Sequence, residues 1–361
     1  QIRQVVKQGL VDIMLMSAST NDVLAIQEGV FEGSHVTPAA RANDTTDIFV
    51  VRGGAYAAEP SRPFRTAALD HIQCGHLACA PEERSRGANL GLYSMTFNNR
   101  LEEDLAALEE YRRFRLEAEA KGFRHFLEVF DPNAPSGLSP EQVPQFINDS
   151  IARALAGVAR SGRPLFLKVV YHGPKAMEEL VAYDPHLIVG VLGGGAGTTY
   201  DAFKLISEAQ KHGARVALFG RKINNAECQL AFIEFLRLIV EGQISAEEAV
   251  RAYHAVLGQL NIRPHRSLAD DLTLQTAVMS YGGGSTVAVP ETRQAVSEAH
   301  ACSCDSKTAN KSVKPECGCH GPATPMQANG QVTADSAPDF ARMSQAEKLA
   351  YNQARRNRIF G

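Results

Sequence analysis

Pro164–Gly173, PLFLKVVYHG, sets a single lysine in an otherwise apolar run. Lys168, flanked by Leu167 and Val169, projects from a strand that reads as buried on both sides, the pattern of a parallel sheet covered by helices. Two more segments of this kind follow, each running into glycines: Leu187–Gly197 (LIVGVLGGGAG) and Ala214–Ile223 (ARVALFGRKI). These three stretches predict consecutive parallel strands whose C-terminal ends approach a ligand.

The same alternation extends upstream. Val11–Met16 (VDIMLM), Asp47–Arg52 (DIFVVR), Leu90–Phe97 (LGLYSMTF) and Phe123–Phe130 (FRHFLEVF) read as strands. Leu101–Lys121 is the clearest helix, with Leu101, Leu105, Leu108, Tyr111 and Phe114 at helical spacing and Gly122 as its stop. Helices are also predicted in Ser139–Arg160, from Pro174 to Tyr183, and over Asp201–Gly213, Ala226–Glu241 and Ser245–Leu257. Seven strands, each followed by a helix or a long loop and none paired by a hairpin signal, predict an α/β fold on a parallel sheet. The chain opens on what reads as a helix, Gln1–Gly9, so the expected architecture is a (β/α)8 TIM barrel whose first strand lies upstream of Gln1. A doubly wound open sheet is the alternative, but it wants a glycine fingerprint after its first strand, and Ser17–Asp22 (SASTND) has none.

The domain reading follows. Residues 1–262 form the barrel, with an insertion rich in Pro, Arg, His and Cys at about 55–86. Residues 263–342 read as a linker and a largely disordered, Cys-containing tail of low complexity, and residues 343–361 as a short basic helix. The 361 residues are 44% hydrophobic and 21% charged, with a net charge of −3, which points to neither a nucleic-acid nor a membrane partner. No apolar run approaches the ~20 residues that span a bilayer, and no signal pattern opens the chain. A cytoplasmic homo-oligomer is expected.

Chemistry is expected first at Lys168. Burial lowers the pKa of an ammonium toward the range where the free amine attacks, and a free amine facing a carbonyl forms a Schiff base. The plain alternative is a lysine that snorkels at the strand end or pairs with Glu128. Glu128, at the centre of its own strand, is either an ion-pair or acid/base partner inside the barrel or a solvated carboxylate at a strand edge. Gly193, Gly194 and Gly195 precede a helix, where backbone N–H groups can approach phosphate oxygens. Gly220 and Arg221 end the next strand, and Arg221 adds a charge-assisted fork. In barrel enzymes the loops after strands seven and eight are a frequent phosphate site, and counting a missing first strand these are those loops. Arg52 is placed for a substrate anion or for an ordinary salt bridge.

The order Lys168-Val-Val-Tyr171-His-Gly173, then Gly193–Gly195, then Gly220-Arg221-Lys222-Ile223 resembles the archaeal-type class I fructose-bisphosphate aldolases and the wider deoxyribose-phosphate-aldolase-like barrels. The resemblance runs loosely from Val11 to about Ala255. It implies Lys168 as the Schiff-base lysine and Gly194, Gly195, Gly220 and Arg221 around a phosphate. It also implies Tyr93 near the family's strand-four tyrosine, and a lyase that makes or breaks a C–C bond in a phosphorylated sugar or keto substrate without a cofactor. The chain departs from the family at Lys222, where Asn or Thr is usual, and it shows no counterpart of the strand-one acid.

Two Cys/His clusters support a different reading, a zinc-binding barrel. His71-x2-Cys74-x-His76-x2-Cys79 lies in the insertion, and its donor types suit tetrahedral zinc. Cys302-x-Cys304-x12-Cys317-x-Cys319 pairs thiols across a loop in the tail. A third reading is a barrel that binds a sugar phosphate without turning it over.

Overall fold

Seven strands form one parallel sheet in sequence order: β1 (Ile13–Met16), β2 (Thr37–Arg41), β5 (Leu90–Thr96), β6 (Arg124–Phe130), β7 (Phe166–Val169), β8 (Ile188–Gly193) and β9 (Val216–Phe219). The computed structural model describes residues 1–49, 51–195 and 197–275. The expectations for residues 276–361, including the Cys302–Cys319 cluster and the basic helix, lie outside the described residues. A two-stranded antiparallel ribbon, β3 (Asp44–Thr45) with β4 (Pro63–Phe64), stands apart from the main sheet.

Helices cover one face. In chain order they are α1 (Ile2–Gln8), α2 (Ala18–Asn21), α3 (Leu69–Cys74), α4 (Leu101–Ala120), α5 (Val143–Ala156), α6 (Pro174–Tyr183), α7 (Thr199–Lys211), α8 (Arg221–Asn224), α9 (Gln229–Val240), α10 (Ala246–Gln259) and α11 (Leu268–Asp271). Their ends carry ordinary signals: Gly9 closes α1 with φ 65°, and Thr198–Asp201 and Ser245–Glu248 form capping boxes on α7 and α10. Among the described residues no helix is long and apolar enough to cross a membrane.

Strand residues alternate between two cores, as the two-residue period of a pleated strand requires. Tyr93, Met95, Leu127, Val129, Leu167, Val169, Val189 and Val191 face the helices and pack against Tyr111, Phe114, Ile151, Met177 and Leu205. The opposite face holds a cluster built from strands alone: Ala39, Leu90, Leu92, Phe126 and Phe166, with Ile13, Leu15, Val216 and Leu218 against it. That cluster unites residues of β1 and β9, the two edges of the sheet, so the sheet curls strongly around it. The helical layer meets itself in the same way. Gln8 of α1 donates to the Leu230 carbonyl of α9 at 2.9 Å, and Arg237 of α9 reaches Asp12, just before β1, at 3.2 Å.

Two sequence expectations need correction. The second strand is Thr37–Arg41 (TPAAR), paired with β1 through Ile13↔Thr37 and with β5 through Ala40↔Gly91. Thr37 is its one β-branched residue; a proline and two alanines follow, and Ala39 and Ala40 are fully buried. The described residues of the β-favouring DIFVVR stretch are turn and loop: Ile48 and Phe49 both donate to the Thr45 carbonyl, and Phe49 and Val51 are exposed. On α4, the buried residues are Ala107, Tyr111, Phe114 and Ala118, whereas Leu101 and Leu105 face solvent.

Candidate functional site

The inner face of the sheet is layered. Its lowest layer is the apolar strand cluster, with Phe126 and Phe166 stacked at 4.5 Å. Its uppermost is Phe130, Val170 and Leu192, with Ile48 packed on them from the loop after β3. Between them the same strands present Ser94, Glu128 and Lys168, two residues on from Leu92, Phe126 and Phe166 and therefore on the same face. The register sets Ser94 opposite Glu128 and Glu128 opposite Lys168.

The three side chains join. Lys168 donates from Nζ to Glu128 Oε1, and Ser94 Oγ donates to Oε2 at 2.7 Å. The side chains of Lys168 and Glu128 are 12% and 3% exposed. Burial alone would raise the Glu128 carboxyl. The charges of Lys168 and Arg41, with the hydrogen bonds from Lys168 and Ser94, outweigh burial and hold it below the usual carboxylate range. Arg41, at the end of β2, lies 3.5 Å from Ser94 Oγ and 3.3 Å from Asp44. Burial raises the Asp44 carboxyl, Arg41 opposes that, and the Glu128 charge adds to it. Asn43 fixes the backbone here, exchanging 2.6 and 2.7 Å bonds with the N–H and C=O of Ser94.

A second polar pair lies beyond the C-terminal ends of β6 and β7. His172 Nε2 contacts Asp131 Oδ1 at 2.9 Å, with both side chains about nine-tenths buried. The loop that carries Ile48 is tied over the same end of the sheet. Ser61 donates to Asp47 at 2.6 Å, and its N–H reaches Asn133 at 2.9 Å and Asn98 at 3.2 Å.

The remaining predicted site residues fall elsewhere. Tyr93 lies on the outer face, its ring stacked on Phe114 at 4.5 Å and its hydroxyl buried without a partner. The alternation that turns Ser94 inward turns Tyr93 outward. Arg52 is exposed in the loop after β3.

The glycine loops are partly explained by packing. A Cβ on Gly193 would lie 2.1 Å from the Phe219 ring, so the β8 end passes β9 only as glycine. Gly197 has φ 79°, the left-handed region that favours glycine. Gly195 lies against Arg221, which is exposed, and Gly220 borders open space. The N-terminus of α7 is already occupied by carboxylates of this chain: Asp201 accepts from Thr198 N–H and Asp271 from Thr199 N–H, both at 2.7 Å. A cavity of about 220 Å³ opens beside this end, lined in part by Gly195, Gly197, Lys222, Arg266 and Asp271. Lys222 donates to the Gly197 carbonyl at 2.8 Å, and burial, then Arg266, lowers its pKa.

Sequence reasoning missed Arg41, Ser94 and the His172–Asp131 pair. The period-two pattern of LGLYSMTF could have found Ser94, a hydroxyl on the face of Leu90 and Leu92. Arg41 was hidden because its strand, TPAAR, carries a single β-favouring residue, Thr37.

No protein-family model matches the chain, and no curated protein matches it by sequence. Among solved structures, the fructose-bisphosphate aldolase from Slackia heliotrinireducens aligns over 73% of this chain and 78% of its own, at 13% identity and a TM-score of 0.53. An archaeal fructose 1,6-bisphosphate aldolase covers 67% of this chain and 82% of its own at 18% identity, with a TM-score of 0.48. A Corynebacterium glutamicum protein covers 67% and 75% at 17% identity, with a TM-score of 0.49. The first alignment defines the class: a curled parallel α/β sheet of the TIM-barrel kind.

Proposed function

We propose that the chain is a class I, Schiff-base aldolase-like lyase acting on a phosphorylated sugar or keto compound, built on a (β/α)8 barrel. The observation that carries the reading is Lys168, sealed in the middle layer of the sheet with Glu128 as its hydrogen-bond acceptor. The resemblance of the Lys168–Gly173 segment to the aldolases supports it, as does the fold shared with the Slackia enzyme, which its description names a fructose-bisphosphate aldolase.

In this reading Lys168 gives up its ammonium proton to a base as the substrate enters, and Glu128 holds the nitrogen in place on the inner face. The freed nitrogen pair forms a bond to the substrate carbonyl carbon, and the C=O pair moves to oxygen, which is protonated. Loss of water gives an iminium. Cleavage sends the C–C bonding pair into that iminium as an enamine, while the β-hydroxyl of the departing fragment gives its proton to a base and becomes a carbonyl. Protonation of the enamine and hydrolysis return the amine. Arg41 supplies positive charge on the inner face, and His172–Asp131 is the proton-carrying pair at the open end. The phosphate belongs at the Gly195–Lys222 cavity, where Arg221 and Arg266 supply charge.

The test is borohydride reduction in the presence of dihydroxyacetone phosphate or fructose 1,6-bisphosphate, followed by peptide mass mapping. A reduced adduct on Lys168 is expected, and its absence with every phosphorylated ketone tried defeats the mechanism. A second reading, a barrel that binds without turnover, has one observation in its favour: Asp201 and Asp271 already fill the first N–H groups of α7. Ligand binding of equal strength by wild type and Lys168→Ala, with no adduct in either, would select it.

A further inference from the structure

Cys74 and Cys79 are both buried at and just beyond the end of α3, a part of the molecule that the proposed chemistry does not use. Cys74 ends α3, and Gly75 reverses the chain there with φ 89°. Ala78 then takes φ 57°, a left-handed conformation that costs a residue with a Cβ of order 1 kcal/mol or more. A bond from Ala78 N–H to Asp70 Oδ2, 3.1 Å, holds it there, and Asp70 is itself anchored by Lys121 at 2.7 Å. The result of this folding back is that Cys79 lies near Cys74, each thiol donating to a carbonyl of the same loop, His76 for Cys74 and Ala80 for Cys79.

Two more donors converge from the same loop and the turn that follows it. The ligand atoms of Cys74, His76 and Glu83 all lie within 4.8 Å of one another. His76 Nε2 is 3.2 Å from Glu83 Oε1. Glu83 is oriented from behind: its other oxygen accepts from Ala80 N–H at 3.2 Å, and Arg86 lies 3.3 Å from Oε1. Both sulfurs are buried, whereas the His76 side chain is 52% exposed, so an ion has a route in from solvent.

We propose that Cys74, Cys79, His76 and Glu83 form a tetrahedral site for a thiophilic divalent cation of the zinc type. Two sulfurs, one imidazole nitrogen and one carboxylate oxygen are donors that zinc accepts, at about 2.3 Å for sulfur and about 2.0–2.2 Å for nitrogen and oxygen. In a tetrahedron of those bond lengths the donors lie roughly 3.3–3.8 Å apart, so the spread of Cys74, His76 and Glu83 closes by about 1 Å, and the Cys79 sulfur, outside that group, has to swing in to complete the set. Binding releases one proton from each thiol as two S–metal bonds form. The complex then carries one net negative charge beside Arg86. The proposed ligand set differs from the sequence pattern in one member: His71 is exposed on α3, and Glu83, four residues beyond Cys79, stands with Cys74 and His76 in its place. An ion here ties α3 to the turn before β5.

Zinc content tests this on the full chain, equilibrated with Zn²⁺, desalted and measured by mass spectrometry against protein concentration. Cys74→Ser/Cys79→Ser is expected to hold one equivalent less than wild type, whatever the tail cysteines bind. His76→Ala/Glu83→Gln changes side chains at the surface and leaves the core whole. It is expected to weaken the zinc lost in the cysteine variant at least ~10-fold. Zinc should also slow alkylation of Cys74 and Cys79 in the native wild type. Equal zinc content in wild type and both variants, alkylation indifferent to zinc, or a Cys74–Cys79 disulfide in the freshly purified protein would each overturn the site.

Discussion

Lys168 stands opposite Glu128 across the β6–β7 pair, and its ammonium donates to the carboxylate on the inner face of the sheet. A charge pair this deep is retained at a desolvation cost, and removing one partner leaves the other charge buried alone. Lys168→Met is therefore expected to destabilise the protein by about 3 kcal/mol at neutral pH, and adding Glu128→Leu should recover most of it. Denaturant titration of the two variants decides this. A double variant no more stable than Lys168→Met would contradict it.

The same pair sets a pH dependence whose direction reverses in the variant. In the wild type the Glu128 carboxyl is held below its usual value, so its contribution to stability is present above about pH 4.5 and is lost as pH falls through the lower, folded-state value. Without Lys168, burial governs and raises the carboxyl. Lys168→Met should then gain stability relative to wild type as pH falls from 8 to 5, read from denaturation midpoints at each pH.

His125 gives a second, independent acid response. Buried on β6 and 2.9 Å from the Tyr111 hydroxyl, its pKa is pushed down to about 3 by burial and then by Arg115. The unfolded chain takes up this proton below about pH 6.5, and the folded chain does not until about pH 3. Stability from this group is thus full above pH 6.5 and falls by up to about 1.4 kcal/mol per pH unit below it. His125→Gln should flatten the stability profile between pH 6.5 and 4 by that slope. An unchanged profile would mean that the imidazole is protonated in the fold.

How far the sequence foretold this site depends on which side chains announce themselves. Lys168 and Glu128 were legible because a charge inside an apolar strand violates its surroundings, and the parallel register then sets them side by side. Asp47–Arg52 misled because its β propensity is real but the main sheet takes its second strand elsewhere, whereas TPAAR pairs on both sides with only Thr37 to favour a strand. Local preference is weak beside tertiary pairing. Tyr93 was expected in the site from resemblance, yet it differs from Ser94 by one step of the pleat, and that step exchanges the two faces. Asp271, which caps α7 from 72 residues away, has no local signature at all.

The glycine loops separate a packing role from a binding role at two positions. Gly193→Ala drives a methyl into the Phe219 ring and is expected to cost about 1–3 kcal/mol whether or not ligand is present. Gly220 has open space where its Cβ would be and a negative φ of −113°. Gly220→Ala should therefore leave stability within about 0.5 kcal/mol of wild type. Any loss of phosphate binding in that variant reports on the loop itself.

Ile48 covers the layer above Lys168, packing on Phe130, Val170 and Leu192 from a loop pinned by Ser61, Asp47, Asn98 and Asn133. In the proposed reading a substrate that enters from the C-terminal end of the sheet meets Ile48 before it meets Lys168. Ile48→Ala removes the contact while leaving the Lys168–Glu128 pair intact, at a cost of about 1 kcal/mol for a half-buried side chain. The expected result is a severalfold faster reductive modification of Lys168 by a small aldehyde with borohydride, followed by peptide mapping. Ser61→Ala, which removes the bond to Asp47 that closes the loop on itself, should act in the same direction. Rates unchanged in both variants would show that small molecules reach Lys168 by another path.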